Sequence, residues 1–466
     1  MDKASLKEYF DTLAPKRDLW RRRNFYYHQT LINLCRFLIP GKSAVLEIGC
    51  GTGELLKSVN PIRGVGIDIS PKMIEIASKK YPDLSWLAES ADGVSNLEES
   101  FDYILMSDLV GYLEDIETSF RAIRKVCQSN TRLIITYSNC LWEPFLKLAE
   151  FLRLKAKQPI QNWISPQDLE NILILSDFDT VKRGGKMIIP VYIPIISFLF
   201  NKVIENLPII SRLCLIQYLV VRPAVKSKED YSVSIVIPAR NERGNIENAI
   251  KRLPIFGSSQ EIIFVEGHSS DGTSEEIKRV ADKYKNKEIR YAVQTGKGKG
   301  DAVRLGFNMA RGEILMILDA DLAVPPEDLP KFYKAMVSGR GEFINGSRLV
   351  YPLEKESMRF FNILGNKFFS VMFSWILGQR IKDTLCGTKV LFKSDYEKIA
   401  SGRKFFGDFD PFGDFDLLFG AAKLNLKIIE MPIHYKARLY GETNISRWRH
   451  GWLLLKMTLF AISKFK

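Results

Sequence analysis

The chain has 466 residues, too many for a single hydrophobic core, so we expect two or three domains. Hydrophobic residues make up 46% and charged residues 26% of the sequence, which is typical of folded domains and argues against disorder. The net charge of +13 favours an anionic partner, but the absence of any run of five basic residues argues against nucleic acid.

The six cysteines are scattered, without a pair at the spacing of a zinc site, and predict reduced thiols. The first ten residues lack the apolar core of a signal peptide, and no run of 18 apolar residues predicts a transmembrane helix. We therefore expect a cytoplasmic protein.

Two alternations of strand and helix patterns follow one another along the chain. The first begins at Ala44 with AVLEIGCGTGELL, and the second begins at Val233 with VSIVIPARNERG. Such alternation predicts two α/β domains, each with a parallel sheet. The polar segment PAVKSKEDY lies between them. We therefore expect an N-terminal domain over residues 1–223, a linker over 224–231 and a C-terminal domain over 232–466.

Two local signals predict where helices begin. Ser70 followed by Pro71 indicates a helix that begins at the proline, with the serine as its cap. Thr273 and Glu276 have the spacing of a capping box, which predicts Thr273 as the cap of the next helix.

The first strand of the N-terminal half ends in the glycine-rich turn EIGCGTG, residues 47–53. Glycine lets the backbone approach a ligand closely because a β-carbon would collide with it. Asp68 ends the next strand, about twenty residues further on, where a carboxylate can accept hydrogen bonds from both ribose hydroxyls. The pattern predicts a nucleoside-type ligand, and a purely structural turn is the alternative.

The strings EIGCGTG and GIDIS resemble class I methyltransferases that use S-adenosylmethionine, and the resemblance covers residues 6–223. It implies a Rossmann-like domain with this cofactor. It assigns the methionine part of the cofactor to the turn residues Glu47, Gly49, Gly51 and Gly53. It assigns the ribose and adenine to Asp68 and Ile69.

The rest of the predicted methyltransferase site is less defined. The family often places an acid beside the adenine amino group, and Glu89, Ser90 and Asp92 are the alternatives here. Ser107 and Asp108 follow a strand and are expected at the mouth of the cleft. His28 is a candidate base, with packing as the alternative. Residues 187–221 are predicted to cover the sheet or to face a membrane.

In the C-terminal half, Asp319 and Asp321 follow the apolar strand pattern GEILMIL. Two carboxylates at i and i+2 of an extended chain point the same way and repel each other unless a cation joins them. Oxygen ligands suit Mg²⁺ or Mn²⁺, which can also bridge a diphosphate. The pair therefore predicts a divalent metal site, and a solvated pair of acids is the alternative.

Other polar residues also follow predicted strands of this half. Pro238, Arg240 and Glu242 end the first strand, and Glu266 ends the second. They are expected around the crevice where an open α/β sheet binds its ligand. The tract GKGKGDA, which contains Lys299, combines flexible backbone with positive charge and suits a phosphate-bearing donor.

The strings IPARNE, VEGHSSDGT, GKGDAVRLGF and LDADL resemble inverting family 2 glycosyltransferases of the GT-A fold. NGSRLVY, DTLCGTKVLF and YGETNIS resemble the branch with dolichol-phosphate mannose synthases and bacterial polyprenyl-phosphate glycosyltransferases. The resemblance spans residues 231–449. It implies a nucleotide-sugar donor and a polyprenyl-phosphate-like acceptor.

This resemblance implies roles for individual residues. Asp319 and Asp321 would form the metal and diphosphate site, and Asp414 and Asp416 match acids near the acceptor. The residues implied to bind the substrates are Pro238, Arg240, Glu242, Glu266, Lys299, Ala320, Arg348, Lys389, Arg438, Asn444 and Ser446. Arg348 is also implied to be a catalytic residue. Lys389 stands where the branch commonly has arginine.

Two segments suggest that the protein lies on the cytoplasmic face of a membrane. Residues 359–378 are apolar and aromatic but are interrupted by polar residues, and the C-terminal tail mixes Trp448 and Trp452 with basic residues. Such helices can lie in the plane of the lipid headgroups, although packing between helices also explains the aromatic residues.

We therefore expect a bifunctional enzyme. It would transfer a sugar from a nucleotide-sugar to a polyprenyl-phosphate-like carrier and methylate a linked glycan or lipid. The alternatives are a glycosyltransferase that acts on a hydroxyl acceptor and an N-terminal half that only binds cofactor or serves as a scaffold. The intact turn and Asp68 argue against the scaffold.

Overall fold

The computed structural model describes residues 2–207, 210–225, 230–348, 350, 360–403, 415–436, 440 and 447–465. The chain divides into two compact units, Met1–Ala224 and Val225–Lys466. Residues 226–229 of the predicted linker lie outside the described residues. The predicted α/β fold class is confirmed for both halves, but the prediction of a parallel sheet in each is wrong, since each unit contains a mixed sheet with a strand that runs antiparallel to its neighbours.

Seven strands are described in unit 1: β1 (Ala44–Ile48), β2 (Arg63–Asp68), β3 (Ser85–Ala88), β4 (Phe101–Ser107), β5 (Cys127–Ser138), β6 (Phe178–Lys186) and β7 (Ile216–Pro223). Their order is β3-β2-β1-β4-β5-β7-β6. The pairs from β3 to β5 are parallel, and β7 runs antiparallel to both β5 and β6. The order of strands reverses between β1 and β4, which is where an open sheet of this kind binds its ligand.

The described helices of unit 1 are α1 (Lys3–Leu13), α2 (Arg17–Arg23), α3 (Phe25–Leu38), α4 (Glu54–Ser58), α5 (Pro71–Lys80), α6 (Ile116–Lys125), α7 (Glu143–Phe151), α8 (Pro166–Leu175) and α9 (Ile196–Phe198). Successive side chains of a strand point to opposite faces, so Val45 and Leu46 belong to two different apolar clusters. Both side chains are fully buried, as expected of a sheet that is covered on both faces.

The described strands of unit 2 are β8 (Val233–Ala239), β9 (Gln260–Glu266), β10 (Glu288–Val293), β11 (Ile314–Ile317), β12 (Phe343–Ser347), β13 (Lys389–Phe392) and β14 (Ile428–Pro432). Their order is β10-β9-β8-β11-β13-β12-β14. Strands β10, β9, β8 and β11 are parallel, and β13 runs antiparallel to β11 and β12. Here the order reverses between β8 and β11.

The described helices of unit 2 are α10 (Arg243–Arg252), α11 (Thr273–Lys283), α12 (Lys299–Met309), α13 (Leu329–Val337), α14 (Phe360–Leu377), α15 (Lys393–Ser401), α16 (Phe415–Lys423) and α17 (Arg447–Phe465). Within the described part of the chain, no helix combines the length and the apolar character needed to cross a membrane.

Of the two local predictions for helix starts, one is confirmed and one is wrong. The Ser70 hydroxyl accepts a hydrogen bond from the Met73 amide at 3.2 Å, and the helix begins at Pro71 as predicted. Thr273 is instead the first residue of α11, and Gly272 precedes it as the cap. The Thr273 hydroxyl donates to the Asp271 carboxylate and accepts a hydrogen bond from the Glu242 amide, not from an amide of its own helix.

Candidate active sites

A cavity of about 370 Å³ lies in unit 1 at the carboxyl ends of the central strands. Most of the residues predicted to bind the cofactor line it: Glu47, Gly49, Gly51, Asp68, Ile69, Ser90, Asp92 and Ser107. Gly53 is the one residue of that prediction that is not part of the lining. The cavity is therefore formed where the strand order of the sheet reverses.

The three glycines of the turn serve different purposes. All have positive φ, at 75° for Gly49, 52° for Gly51 and 80° for Gly53, which favours glycine at each position. A β-carbon at Gly53 would lie 2.2 Å from the ring of Trp86, and one at Gly49 would lie 3.0 Å from Leu109. At Gly51 the nearest atom would be 3.9 Å away, in Arg17. Only Gly51 therefore opens freely towards the cavity.

Asp68 joins the turn to the end of β2. Its carboxylate accepts hydrogen bonds from the Gly51 amide at 2.8 Å and from the Ser70 amide at 2.9 Å. Burial nevertheless raises the pKa of Asp68. These two bonds fix the carboxylate at the cavity wall, and each oxygen keeps capacity to accept a further bond from a ligand hydroxyl.

Glu47 is almost completely buried, and its carboxylate accepts a hydrogen bond from the Leu56 amide at 2.9 Å. Burial raises the pKa of Glu47 to about 8, although the positive charge of Arg21 opposes this shift. Glu47 therefore fixes the start of the helix that follows the turn, and it is largely protonated at neutral pH.

The alternatives for the adenine side are all at the cavity wall. Asp92 accepts a hydrogen bond from Ser119 at 2.5 Å and forms an ion pair with Lys3 at 2.6 Å. The Ser90 amide and hydroxyl both donate to the Glu89 carboxylate. Both acids retain acceptor capacity, so these contacts leave the choice open.

Asp108 directly follows the carboxyl end of β4. It has a φ of 53° and accepts a hydrogen bond from the Tyr27 hydroxyl at 2.7 Å. Its other oxygen, Oδ1, is buried and has no partner among the described residues. Ser107 is hydrogen-bonded to Thr136 at 3.1 Å. His28 also lines the cavity, and burial together with nearby arginines lowers its pKa to about 3. Its imidazole is therefore neutral and only weakly basic, which argues against the predicted role as a base.

Two arginines in the cavity wall were not predicted from the sequence. Arg17 and Arg21 lie at i and i+4 of α2, on one face of that helix. Burial lowers the pKa of Arg21, while its ion pair with Glu54 at 3.1 Å opposes that shift. Their spacing was a usable signal, but only the folded structure brings α2 to the cavity.

In unit 2 the predicted acidic pair follows β11, but the chain is not extended there. The strand ends at Ile317, and Leu322, with a φ of 52°, donates its amide to the Asp319 carbonyl oxygen. Asp319 and Asp321 therefore lie in a turn, and the argument from alternating side chains on a strand is wrong. The Asp321 carboxylate accepts a hydrogen bond from the Ala323 amide at 3.1 Å.

Asp319 forms an ion pair with Lys299 at 2.6 Å, which brings the start of α12 to the end of β11. Gly387 closes this arrangement, since a β-carbon there would lie 2.0 Å from Asp319 Oδ2 and 2.3 Å from Lys299 Nζ. A side chain at this position of the motif DTLCGTK would therefore displace the Asp319 and Lys299 side chains, which are distant in sequence. Ala320, between the two acids, is 3% exposed.

The acids of the neighbouring strand ends accept hydrogen bonds from residues that follow them in the chain. Glu266 accepts hydrogen bonds from the Ser269 amide at 2.6 Å and the His268 amide at 3.1 Å, which hold its pKa below the usual range although burial opposes this. Glu242 accepts one from Asn245 at 2.7 Å. Pro238 is half-buried and pairs with β9, while Arg240 is exposed. Pro238 and Glu266 lie near the ends of β8 and β9, and Arg240 and Glu242 follow β8, which borders the point where the strand order reverses.

Arg348 is held by a carboxylate that the sequence analysis did not single out. Its guanidinium donates to both oxygens of Asp383, at 2.7 and 2.8 Å, and lies 5.3 Å from the ring of Tyr435. Burial lowers and the Asp383 charge raises the pKa of Arg348, with a net increase. Asp383 is completely buried, so the pair fixes Arg348 in one orientation.

Two other predicted residues are engaged inside the protein. Lys389 is 0% exposed, and its Nζ donates to the Cys386 carbonyl oxygen at 2.5 Å. Asp416 is 8% exposed and accepts a hydrogen bond from Arg403 at 2.7 Å. Both contacts are structural in this conformation, and the predicted substrate roles remain predictions. The predicted residues outside the described part of the chain are Asp414, Arg438, Asn444 and Ser446.

The donor chemistry of Asp319 and Asp321 fits a divalent cation, because carboxylate oxygens are the ligands that Mg²⁺ and Mn²⁺ prefer. Within the described residues, no group of three or more histidines, cysteines or acids could hold a metal by itself. Asp319 and Asp321 are therefore the residues that would hold such a cation.

Comparison with known proteins matches each unit to a different family. The family model of a methyltransferase domain matches residues 20–183, and that of glycosyl transferase family 2 matches residues 234–399. A dolichol-phosphate mannosyltransferase from Pyrococcus furiosus is 31% identical over 236 residues, which are 48% of this chain and 64% of the relative. An undecaprenyl-phosphate 4-deoxy-4-formamido-L-arabinose transferase from Edwardsiella ictaluri is 32% identical over 23% of this chain and 34% of the relative.

This chain thus covers less than two thirds of either relative. Among solved structures, a methyltransferase from Thermotoga maritima, described as a possible histamine N-methyltransferase, is 16% identical. It matches 47% of this chain and 99% of its own, with a TM-score of 0.36. Taken together, the two family matches confirm the resemblance predicted for each half: the chain joins a methyltransferase domain to a glycosyl transferase family 2 domain.

Proposed function

We propose that the chain is a bifunctional enzyme. Unit 2 transfers a sugar from a nucleotide-sugar to a polyprenyl-phosphate-like carrier with inversion, and unit 1 methylates a linked glycan or lipid with S-adenosylmethionine. One observation carries the proposal: each sheet gathers polar residues at the point where its strand order reverses, within a segment that matches a transferase family. We thus propose that each unit is a separate domain with its own active site.

In sugar transfer, an oxygen of the acceptor phosphate attacks the anomeric carbon, and the bond from that carbon to the nucleoside diphosphate breaks. The departing diphosphate keeps the electron pair, so negative charge develops on it. Lys299, held beside Asp319, can offset part of this charge. A divalent cation, which Asp319 and Asp321 would hold, would supply further positive charge there. A phosphate acceptor is already ionised and needs no general base.

In methyl transfer, bound S-adenosylmethionine would supply an electrophilic methyl group. Asp68 is fixed where it can accept bonds from ribose hydroxyls, and Gly51 leaves room beside it. Arg17 and Arg21 provide positive charge for a carboxylate, such as that of the methionine part. Asp108 has an unused acceptor oxygen and a pKa raised by burial, so it can take a proton from an acceptor hydroxyl, whereas the neutral His28 can accept a hydrogen bond from it.

Membrane association of unit 2 is part of the proposal, because the carrier is a lipid. Helix α17 buries one face, which includes Leu454, Met457 and Ala461. Trp452 and Leu459 are 61% and 60% exposed on the same helix. An amphipathic helix that leaves aromatic and aliphatic side chains in water suits the interfacial region of a bilayer.

The test is to incubate the purified chain with polyprenyl phosphate and labelled nucleotide-sugars, and to treat the lipid product with mild acid. We expect an acid-labile lipid sugar, since the link would be a phosphodiester. Asp321→Asn should abolish its formation but leave S-adenosylmethionine binding intact, and Gly51→Arg should do the reverse. Asp282→Asn, on the exposed side of α11, is the matched control and should alter neither.

Three other outcomes would each contradict one part of this proposal. An acid-stable product would favour a hydroxyl acceptor. Absence of S-adenosylmethionine binding by calorimetry would leave unit 1 as a scaffold. Full sugar transfer after exhaustive chelation would remove the divalent cation from the proposal.

A further inference from the structure

An exposed apolar surface borders the cavity of unit 1. We call it the apolar rim and define it as residues 141–154, which include α7, together with residues 191–207 and 210–213. A folded monomer rarely leaves many large apolar side chains together in water, and such surfaces usually mark an interaction site. The apolar rim lies outside the residues that we assign to cofactor binding.

Helix α7 provides the first part of the rim. None of its residues is buried, and three apolar side chains at i, i+3 and i+7 form one stripe: Phe145, Leu148 and Leu152, which are 63%, 55% and 54% exposed. Phe151 beside them is 82% exposed. A surface helix normally turns such a stripe into the core, whereas α7 presents its stripe to solvent.

The second part presents its apolar side chains from an ordered backbone. Ile195 and Phe198 are 83% and 66% exposed, and Ile195 has a φ of 68°, which is strained for a β-branched residue. The buried Asn201 accepts hydrogen bonds from the Ile188 and Ile189 amides at 2.7 and 2.9 Å. The polar groups are therefore satisfied inside while the apolar groups face out.

The two parts adjoin each other and the cavity. The Trp142 indole donates to the Leu213 carbonyl oxygen at 2.8 Å, which joins the α7 region to the end of the second segment. Leu146 and Leu154 on one side, and Val191 on the other, line the cavity. The apolar rim therefore borders the space in which we propose that methyl transfer occurs.

The charges around the apolar rim complement an anionic surface. Exposed basic side chains that make no ion pair with any described residue are Arg153, Lys157, Lys202 and Arg212. The acids of the same segments are already neutralised, since Glu143, Glu150 and Glu205 form ion pairs with Lys147, Lys155 and Lys186. Apolar groups flanked by unpaired cations suit a bilayer with acidic headgroups.

We propose that the apolar rim docks unit 1 onto an anionic lipid bilayer, so that the methyl acceptor enters the cavity from the membrane as an amphiphile. The docking is independent of the chemistry of unit 2. The class of methyl acceptor rests on the proposed function of unit 1.

The experiment places an environment-sensitive fluorophore on the rim of the full chain. Phe198→Cys carries the label, and Ile62→Cys is the matched control, because Ile62 is 75% exposed in unit 1 just before the start of β2, whereas the cavity lies at the carboxyl ends of the strands. The natural cysteines are buried or half-buried, and labelling of the unaltered chain gives the background. The probe is a vesicle of phosphatidylcholine and phosphatidylglycerol in equal amounts.

We expect a blue shift of the label at position 198 with these vesicles, a weaker shift with phosphatidylcholine alone, and none at position 62. Replacing Phe151, Ile195 and Phe198 together by serine should lower the affinity for the mixed vesicles on the order of tenfold. Because all three side chains are exposed, S-adenosylmethionine binding should persist and report that unit 1 is folded.

Three outcomes would overturn the docking. The label at position 198 could stay in water while the chain is bound to vesicles. It could be blue-shifted in buffer in proportion to protein concentration, which would mean that a second copy covers the rim. It could also be blue-shifted in buffer at every concentration, which would mean that the chain itself covers the rim. Sugar transfer and cofactor binding, measured on the same samples, test the proposed function separately.

Discussion

Alanine at Gly51 and at Gly53 should separate a ligand-facing glycine from a packing glycine in the same turn. Both positions have positive φ, so an alanine costs about 1–2 kcal/mol of backbone strain at either one. At Gly53 its methyl group would also lie 2.2 Å from the ring of Trp86, and such overpacking adds about 1–3 kcal/mol. Gly53→Ala should therefore lower the free energy of unfolding by about 2–5 kcal/mol.

Gly51→Ala should behave differently, because its methyl group would meet no atom of the protein closer than 3.9 Å and would project towards the cavity. We expect only the strain of about 1–2 kcal/mol in stability. The methyl group should, however, clash with a bound cofactor and weaken S-adenosylmethionine binding about 10- to 100-fold, as an overpacking cost of this size implies.

Calorimetry measures the affinity, and hydrogen exchange of the β1 amides measures the stability of unit 1 in the presence of a second unit. Gly41→Ala is the control, since a β-carbon there would meet nothing within 4 Å and its φ is not positive. The reasoning is refuted if Gly51→Ala binds S-adenosylmethionine like the unaltered chain, or if both turn variants lose the same stability.

Three further predictions concern single contacts. Gly387→Ala should reduce sugar transfer by about 10²-fold, because its methyl group would displace Asp319, and an unchanged rate would contradict this. Asp383→Asn should lower the free energy of unfolding by about 3–5 kcal/mol, since Arg348 would remain buried without its partner, and a change in melting temperature too small for such a loss would contradict it. Burial raises the pKa of Glu47 to about 8 from 4.5, so the stability linked to its neutral form is complete below pH 4.5 and is lost as the pH rises through 8. Glu47→Gln should abolish this loss of about 1.4 kcal/mol per pH unit between those values. Urea titrations of the two proteins from pH 5 to 8 measure their free energies of unfolding, and the same pH dependence in both would contradict the prediction.

The parts of the site that could be predicted from the sequence are those that follow a strand directly. The glycine-rich turn that ends at Gly53 comes at the end of an apolar run, and so do Asp68 and Asp319. The carboxyl ends of parallel strands meet at one edge of a sheet, so these residues are expected at that edge. Short-range chemistry of this kind is visible in a linear pattern. The same holds for the Ser70 cap, which depends on residues three positions apart.

Contacts between distant segments could not be predicted in this way. Arg17 reaches the cavity only because α2 packs near the turn, and Lys389 is buried although its motif suggested substrate contact. The close contact of Gly387 is with an ion pair between Lys299 and Asp319, both distant from it in sequence.

The sequence by itself determined the two α/β units, their strands and the turns that begin each candidate site, because these depend on the spacing of neighbouring residues. The tertiary structure alone decided which side chains meet across the strands, which charges are neutralised and which apolar groups stay in water. The reason is physical: burial and pairing depend on three-dimensional distance. In this protein the contacts that hold Asp319, Arg348 and the apolar rim join segments far apart in the chain.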